Sequence, residues 1–444
     1  MKAMGKAGIA AALLFVGALL GAQSITLSLE QAIALGLENS GSVKSQSLAV
    51  AKAQIDLQIA RCGYTPSLTA GAGWSHLFKK IEPVIPGVYT TASDPVSLSL
   101  NLGQSIYSFG KVENGIRLAE ESLRAAELGL GEEKRSLSTQ IRRAFYGYLL
   151  AEEVIRINEE TLAGKISALE VARKKFAAGI ASDFEVLQAE ADVESFRPNL
   201  ISAQNQVKIA LLTVKNLLGF KDEDNAEIRL VGSLEYQEPS LPGMEKLVET
   251  ALSGKYDLQS LRINRRMAEL QDAVTRSSRL PTISGLLSYS LRSGLDSSSG
   301  ANKYWGADSW DGSLSGGLNV QVPISSFFPW SKESLEMKKS PLTLADLDLG
   351  YDSLASGIKT NVRSILLKLE EAKLKIASGQ KSLALSQRLL QSANEQYARG
   401  LISNMTLKDA QLGLNGARLA YIQTIYQYQL NLTDLMDAIG VERF

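Results

Sequence analysis

The chain has 444 residues and a mass of 47.9 kDa, and its 47 Lys and Arg balance 47 Asp and Glu. A neutral surface has no net field with which to gather a nucleic acid backbone. One His (His76) and one Cys (Cys62) exclude a His/Cys metal cage and a disulfide framework, and they leave Ser-His-Asp or Cys-His catalysis only to those two residues.

Hydrophobic residues at 45% and charged ones at 21% suit a soluble protein and an outer-membrane protein equally, so patterning has to decide. At the N-terminus, Lys2 and Lys6 precede an apolar run from Ala7 to Leu20, closed by the small pair Gly21-Ala22 and polar Gln23-Ser24. The run is shorter than the roughly 20 apolar residues of a spanning helix, so residues 1–22 are expected to be a signal peptide and the mature chain to be exported.

Beyond it the sequence repeats itself. Leu29–Leu68 aligns without gaps onto Met244–Ile283, with Glu30, Leu37, Ser45, Ala53, Arg61 and Pro66 recurring as Glu245, Leu252, Ser260, Ala268, Arg276 and Pro281. Further on, Ser97, Leu100, Asn101 and Ile106 return as Ser315, Leu318, Asn319 and Ile324, and Ala177, Gly179, Ser182, Ala189 and Gly219 return as Ala398, Gly400, Ser403, Ala410 and Gly440. Chance matches between helices would not keep this order, so two structural repeats are expected, 23–240 and 241–444.

Each repeat opens with a short helix, Leu29 to Asn39 in the first, followed by one of about six turns ending near Cys62. A strand pair comes next, about 65–107 in the first repeat and 281–325 in the second. In the first strand Leu68, Ala70, Ala72, Trp74, His76 and Phe78 share one face, and Ser67, Thr69, Gly71, Gly73 and Ser75 the other. Leu98, Leu100 and Leu102 alternate with Ser97, Ser99, Asn101 and Gly103, and the second repeat shows the same dyad in Leu287, Tyr289 and Leu291 and in Leu314, Leu318 and Val320. Strands of about ten residues with one apolar face and one of Ser, Thr, Asn and Gly fit an outer-membrane barrel, with lipid outside and water inside. Long polar connections, Lys79 to Pro95 and Arg292 to Asp311, fit external loops, and Trp74, Trp305 and Trp310 fit the membrane interface.

A long helical hairpin ends each repeat, about 112–219 and about 345–440. Val112 to Ala178 contains no proline and, at about 1.5 Å per residue, would extend roughly 100 Å. Heptad seams of alternating large and small residues mark these helices, for example Val362, Ile365, Leu369, Ala372 and Ile376, then Leu407, Ala410 and Leu414. Four strands leave two open edges, which hydrocarbon does not tolerate, so the chain is expected to oligomerise. Three chains and twelve strands make the smallest assembly with a conducting lumen. The competing reading is a periplasmic coiled-coil scaffold or adaptor without a barrel, which accounts for the helices but not for the four alternating segments. No paired acid and base at meaningful spacing points to an enzyme, and no cofactor or metal site is expected.

Leu27–Asn39 resembles the first helix of the TolC-like outer-membrane efflux proteins, as do Tyr64–Leu68 entering the first strand and Gln104–Lys111 leaving the second. The resemblance runs from about 25 to 440 and implies an α+β membrane protein. That protein would be a homotrimer with a twelve-stranded outer-membrane barrel continued by a periplasmic helical barrel. Phe220–Pro242 and Ser331–Asp348 would contribute to a small mixed equatorial region. It also implies an exit duct of a tripartite efflux pump or a type I secretion system, in contact with outer-membrane lipid and docking a periplasmic adaptor and an inner-membrane transporter. The tips that meet the adaptor would be the turns with Gly179, Ser182 and Asp183 and with Gly400, Ser403 and Asn404. The family's acidic constriction pair falls on Thr406 and Asp409, its gate tyrosine on Tyr397 and the acidic partner on Glu185. The latch arginine falls on Ile402, which leaves that link to Arg399 or to nothing.

Overall fold

The computed structural model describes residues 25–76, 78, 96–220, 228–293 and 310–441. The expected signal peptide, the loop Lys79–Pro95, most of Arg292–Asp311 with Trp305, and part of Phe220–Pro242 lie outside them. In chain order the elements are β1 (Ile25–Leu27), α1 (Leu29–Asn39), α2 (Gly41–Arg61), β2 (Ser67–Trp74), β3 (Val96–Tyr107), α3 (Lys111–Ala177), α4 (Asp183–Leu217) and β4 (Ile228–Leu230). They continue with α5 (Met244–Gly254), α6 (Tyr256–Ser277), β5 (Thr282–Ser293), β6 (Trp310–Gln321), α7 (Lys332–Ala398) and α8 (Asn404–Ile439). Two compact units result, one of residues 1–45, 131–255 and 357–444, the other of 46–130 and 256–356.

The first unit carries the helix hairpins. Its entry is fixed by a capping box at α1: the Gln31 amide donates to Ser28 Oγ (3.4 Å) and the Ser28 amide to Gln31 Oε1 (2.9 Å). β1 pairs in parallel with β4, Leu27 and Leu230 both inward. The seam positions read from the heptads are buried: Val362, Ile365, Leu369, Ala372 and Ile376 on α7, and Leu407, Ala410, Leu414 and Tyr428 on α8. α1 sits close on α3, since a Cβ at Gly36 would come within 2.4 Å of Ile141 Cδ1. Residues 231–242 have no regular secondary structure and are held by Lys373 bonded to Glu238 and by the Tyr236 ring edge-on to Tyr428, 5.0 Å between centroids. Lys373 first, then the Tyr236 hydroxyl, hold the Glu238 carboxyl below its usual range, whereas burial pushes the Tyr428 phenol up to about 12.

The ends of α3, α4, α7 and α8 are all closed in one way. Gly179, Gly219, Gly400 and Gly440 have φ between 70° and 77°, and each donates back to the residue three before while the next residue donates to the residue five before its own position. The first such pair is Gly179 to Phe176 (2.9 Å) and Ile180 to Lys175 (2.9 Å), a Schellman closure that needs a left-handed residue.

The second unit carries an antiparallel sheet in the order β2-β3-β5-β6. Its register aligns the dyads of all four strands: Ala70, Leu100, Tyr289 and Leu314 form one row, and Gly71, Ser99, Ser290 and Ser313 the next. One face is therefore mostly apolar, with Gln104 a polar departure, and the other is mostly small and polar, with Leu286 the apolar departure and Arg292 opposite Asp311 at its end. α6 and α7 are tied beside it by Arg265 to Asp348 (2.7 Å) and Arg262 to the Tyr351 hydroxyl (2.7 Å).

Two expectations need correction. β2 stops at Trp74, so His76 lies beyond the strand, its ring 4.9 Å from that of Phe78 and 6.5 Å from Trp74. The last hairpin begins at Lys332 rather than near 345, so that Lys332–Asp348 is all helix and falls in the sheet-bearing unit. The helix runs through Pro341, and α7 gains the Arg265 and Arg262 links that follow.

Gly440 also abuts backbone: a Cβ there would lie 3.0 Å from the Gly254 carbonyl oxygen. Gly440→Val combines this clash with strain at positive φ and is expected to cost about 2 kcal/mol or more, lowering the apparent Tm. Gly164→Ala, in α3 with nothing within 4 Å of the added carbon, should leave or raise the Tm in the same thermal unfolding experiment.

Candidate functional site

In the helix-bearing unit the turns α3–α4 and α7–α8 carry the residues singled out above. Ser182 and Ser403 are the N-caps of α4 and α8; Ser403 Oγ accepts from the Thr406 amide (3.2 Å) and meets the Thr406 hydroxyl at 3.0 Å, whereas Ser182 makes no such side-chain bond. Asp183 is exposed in the first turn of α4, where a carboxylate suits the positive helix end, and Asn404 is partly covered at the start of α8. Thr406 and Asp409, three residues apart, are both exposed, on α8 positions away from the seam of Leu407, Ala410 and Leu414. Glu185 is half-buried. Among the described residues neither Asp409 nor Glu185 has a side-chain hydrogen bond or ion pair, and Arg399 has none either.

Tyr397 does have partners. It packs with Leu390 and Ile402 against the buried trio Ala393, Leu407 and Ala410, and Lys175 of α3 places its ammonium 4.0 Å from the ring centroid. The structure thus brings Tyr397 to Lys175. One turn further from the tip, Lys408 donates to both carboxylate oxygens of Asp192 (2.6 and 2.7 Å), joining α8 to α4, and Arg173 joins α3 to Glu190 of α4 (2.6 Å). These links were not read from the sequence, where the opposed charges stand more than a hundred residues apart in one case and on neighbouring helices in the other. Their signal is an opposed charge beside the heptad seam, as at the flanking positions of a coiled coil.

In the sheet-bearing unit the polar face forms a lattice of small side chains. Ser288 donates to Asn101 Oδ1 (2.6 Å), Ser290 and Ser313 hydroxyls meet at 2.8 Å, and Ser97 and Ser67 donate to the carbonyls of Gly73 and Gly103. The opposite face leaves Leu68, Leu98, Leu100, Leu102, Tyr289, Leu314 and Leu318 exposed. Twelve residues in β5, at about 3.3 Å each and a tilt near 40°, project onto roughly 30 Å, the thickness of a hydrocarbon core. Trp74 and Trp310 stand at one end of the sheet, in the row that pairs with Val96 and Ser293. β2 and β6 are its edges, and neither has a further strand beside it among the described residues.

No helix among the described residues is long and apolar enough to cross a membrane. Also among the described residues, no group of three His, Cys, Asp or Glu side chains is placed to hold a metal ion.

Against known proteins, the sequence profile of the outer membrane efflux protein family matches twice, over residues 32–220 and 247–441. The outer membrane efflux protein BepC of Brucella suis is 22% identical over 436 residues, spanning 97% of this chain and 90% of its own. The cation efflux system protein CusC of Escherichia coli K12 is 22% identical over 411 residues, covering 92% of this chain and 85% of its own. Among solved structures, the Campylobacter jejuni CmeC outer membrane channel superposes with a TM-score of 0.76 at 20% identity, over 93% of this chain and 85% of that one.

The Asp192–Lys408 pair is partly shielded, each side chain 28% exposed, and its coupling should be about 1 kcal/mol, above that of most exposed pairs. Asp192→Asn is expected to loosen the α7–α8 turn, so that trypsin cuts after Arg399 several times faster while cleavage elsewhere keeps its rate. Equal cleavage at Arg399 in variant and parent would show that the pair does not hold the tip.

Proposed function

The chain belongs to the outer membrane efflux protein family, and from that premise we propose that three copies close one twelve-stranded barrel whose lumen continues through a tube of their long helices. The observation that carries the assembly is the sheet of four strands with an exposed apolar face and two unpaired edges. Joining β6 of one copy to β2 of the next satisfies every edge donor and acceptor in hydrocarbon, and three such joints make a ring wide enough for solutes. The helices support the same arrangement. Leu335, Leu342 and Leu349 form an exposed heptad stripe on α7, and Leu48, Ile55 and Ile59 one on α2, as seams awaiting a neighbour.

The protein is an outer-membrane efflux channel, and its finer workings follow from this reading. It acts as the passive exit duct of a tripartite pump or type I secretion system, catalysing nothing itself. A periplasmic adaptor docks at the tips with Gly179, Ser182 and Asp183 and with Gly400, Ser403 and Asn404, and an inner-membrane transporter selects the cargo. Matching element order and the twofold family match support a tandem duplication, 23–240 and 241–444.

The gate lies where α8 carries Asp409. On a threefold axis three Asp409 carboxylates, with Thr406 one turn closer to the tip, make a ring that favours cations over anions. Tyr397 closes the tip from the side, steadied here by Lys175 in place of an arginine, with Glu185 as the acidic member of the latch. That Asp409 has no side-chain partner among the described residues supports a role facing the axis.

Planar bilayers test this reading. The parent should form cation-preferring channels blocked by multivalent cations, and Asp409→Ala should shift the reversal potential toward zero and weaken the block severalfold. Absence of channels would contradict the duct; unchanged selectivity in the variant would contradict the Asp409 ring.

A further inference from the structure

The sheet's two ends differ. At one, Trp74 and Trp310 cap the apolar face, and in the adjacent row Arg292 stands opposite Asp311, so the described charges cancel. At the other end, where β6 leads into α7 and β3 into α3, the chain reads Ile324-Ser-Ser-Phe-Phe-Pro-Trp-Ser-Lys332. The apolar row of β6 runs on past the strand through Val322 to Ile324, which is 69% exposed. Trp330 is 74% exposed and stacks on Phe328 with ring centroids 4.9 Å apart and planes within 2°. Phe327 is exposed as well, with the Arg279 guanidinium 5.0 Å from its ring, and Tyr107 packs edge-on to Phe109, at 4.6 Å, at the matching end of β3.

Around these rings the described charge is predominantly basic. Lys111, Lys332, Lys338 and Lys339 are exposed, and of the four only Lys332 has an acidic partner, Glu336 at 3.8 Å. Glu333 is the other nearby carboxylate on α7, Asp272 of α6, which lines one depression with Glu336 and Lys339, is bonded by Arg276 (2.6 Å), and Glu113 on α3 is engaged by the Tyr64 hydroxyl. Flat aromatic rings with a polar surround and long cationic side chains suit the headgroup layer of a membrane, where the rings sit at the hydrocarbon boundary and ammonium groups reach phosphates.

We propose that Ile324–Trp330, with Lys111, Lys332, Lys338 and Lys339, forms an interfacial lip that binds anionic phospholipid headgroups in the leaflet facing the helices. The proposal rests on the barrel reading above and adds to it a lipid class and a leaflet. Continuity with the apolar sheet face and the one-sided excess of lysines select lipid over a protein partner for this surface.

The test uses the full chain in phosphatidylcholine vesicles, with and without one part in three of phosphatidylglycerol, and conductance is recorded on the same preparation. A variant retaining Trp330 as its single tryptophan, through Trp74→Phe, Trp305→Phe and Trp310→Phe, should be quenched most strongly by lipids brominated near the headgroup end of the acyl chain. Spin-labelled phosphatidylglycerol should associate with the parent severalfold more than spin-labelled phosphatidylcholine. Lys111→Gln, Lys332→Gln, Lys338→Gln and Lys339→Gln together should abolish that preference while conductance persists. Conducting channels with Trp330 unquenched, or quenched only by deep bromines, would overturn the lip and point to a protein contact instead. Equal association of the two lipids with the parent would overturn the anionic preference. Loss of conductance in the parent itself would overturn the barrel reading along with this one.

Discussion

An unpaired strand edge in hydrocarbon exposes amide and carbonyl groups that nothing there can satisfy, each at a cost of several kcal/mol. The sheet of this chain has two such edges, β2 and β6, and an exposed face of Leu, Ala, Tyr and Trp side chains between them. Together these facts govern the rest. An apolar face alone could be covered by a helix, but among the described residues no helix of the sheet-bearing unit covers it, and Leu100, Leu314 and Leu318 stay exposed. The serines and asparagine of the opposite face satisfy one another and the backbone, as a water-facing wall requires. A ring of three chains answers both demands at once, and it makes the seams on α2 and α7 part of the same closure.

The helical hairpins obey a different constraint. Helices of 67 residues such as α3 and α7 are stable only where their seams are filled along their length. The buried alternation of Val362, Ile365, Leu369, Ala372 and Ile376 does this, and four glycines in the left-handed region end the long helices while pairing two of the last carbonyls at each. The turns at Gly179 and Gly400 are thereby fixed in shape, while Asp192 with Lys408 and Lys175 over Tyr397 link neighbouring helices behind them. A duct that must open needs such links to be few and breakable. They lie at the rim of a small apolar cluster rather than inside a large one.

Much of the fold was legible because its signals are periodic. The dyad in Ser97–Gly103 and the heptads of α7 and α8 each announce a face, and the register of the sheet follows from keeping the apolar rows aligned. Boundaries were less legible: His76 continues the aromatic alternation past the last paired residue, and the hairpin start expected near 345 falls inside a helix that begins at Lys332. At the tips, the positions of Thr406, Asp409, Tyr397 and Glu185 came from resemblance. The partner that Tyr397 meets, Lys175, sits far away in sequence, and only packing reveals it. Spacing along a helix encodes which face a residue occupies but not which residue of another helix lies opposite.

The most direct test of the closed ring is the number of chains per particle in mild detergent, measured by light scattering with the detergent contribution removed. The account predicts three chains, with no monomer at concentrations where the protein conducts in bilayers. A monodisperse monomer that conducts, or one with its apolar sheet face covered by its own helices, would contradict it.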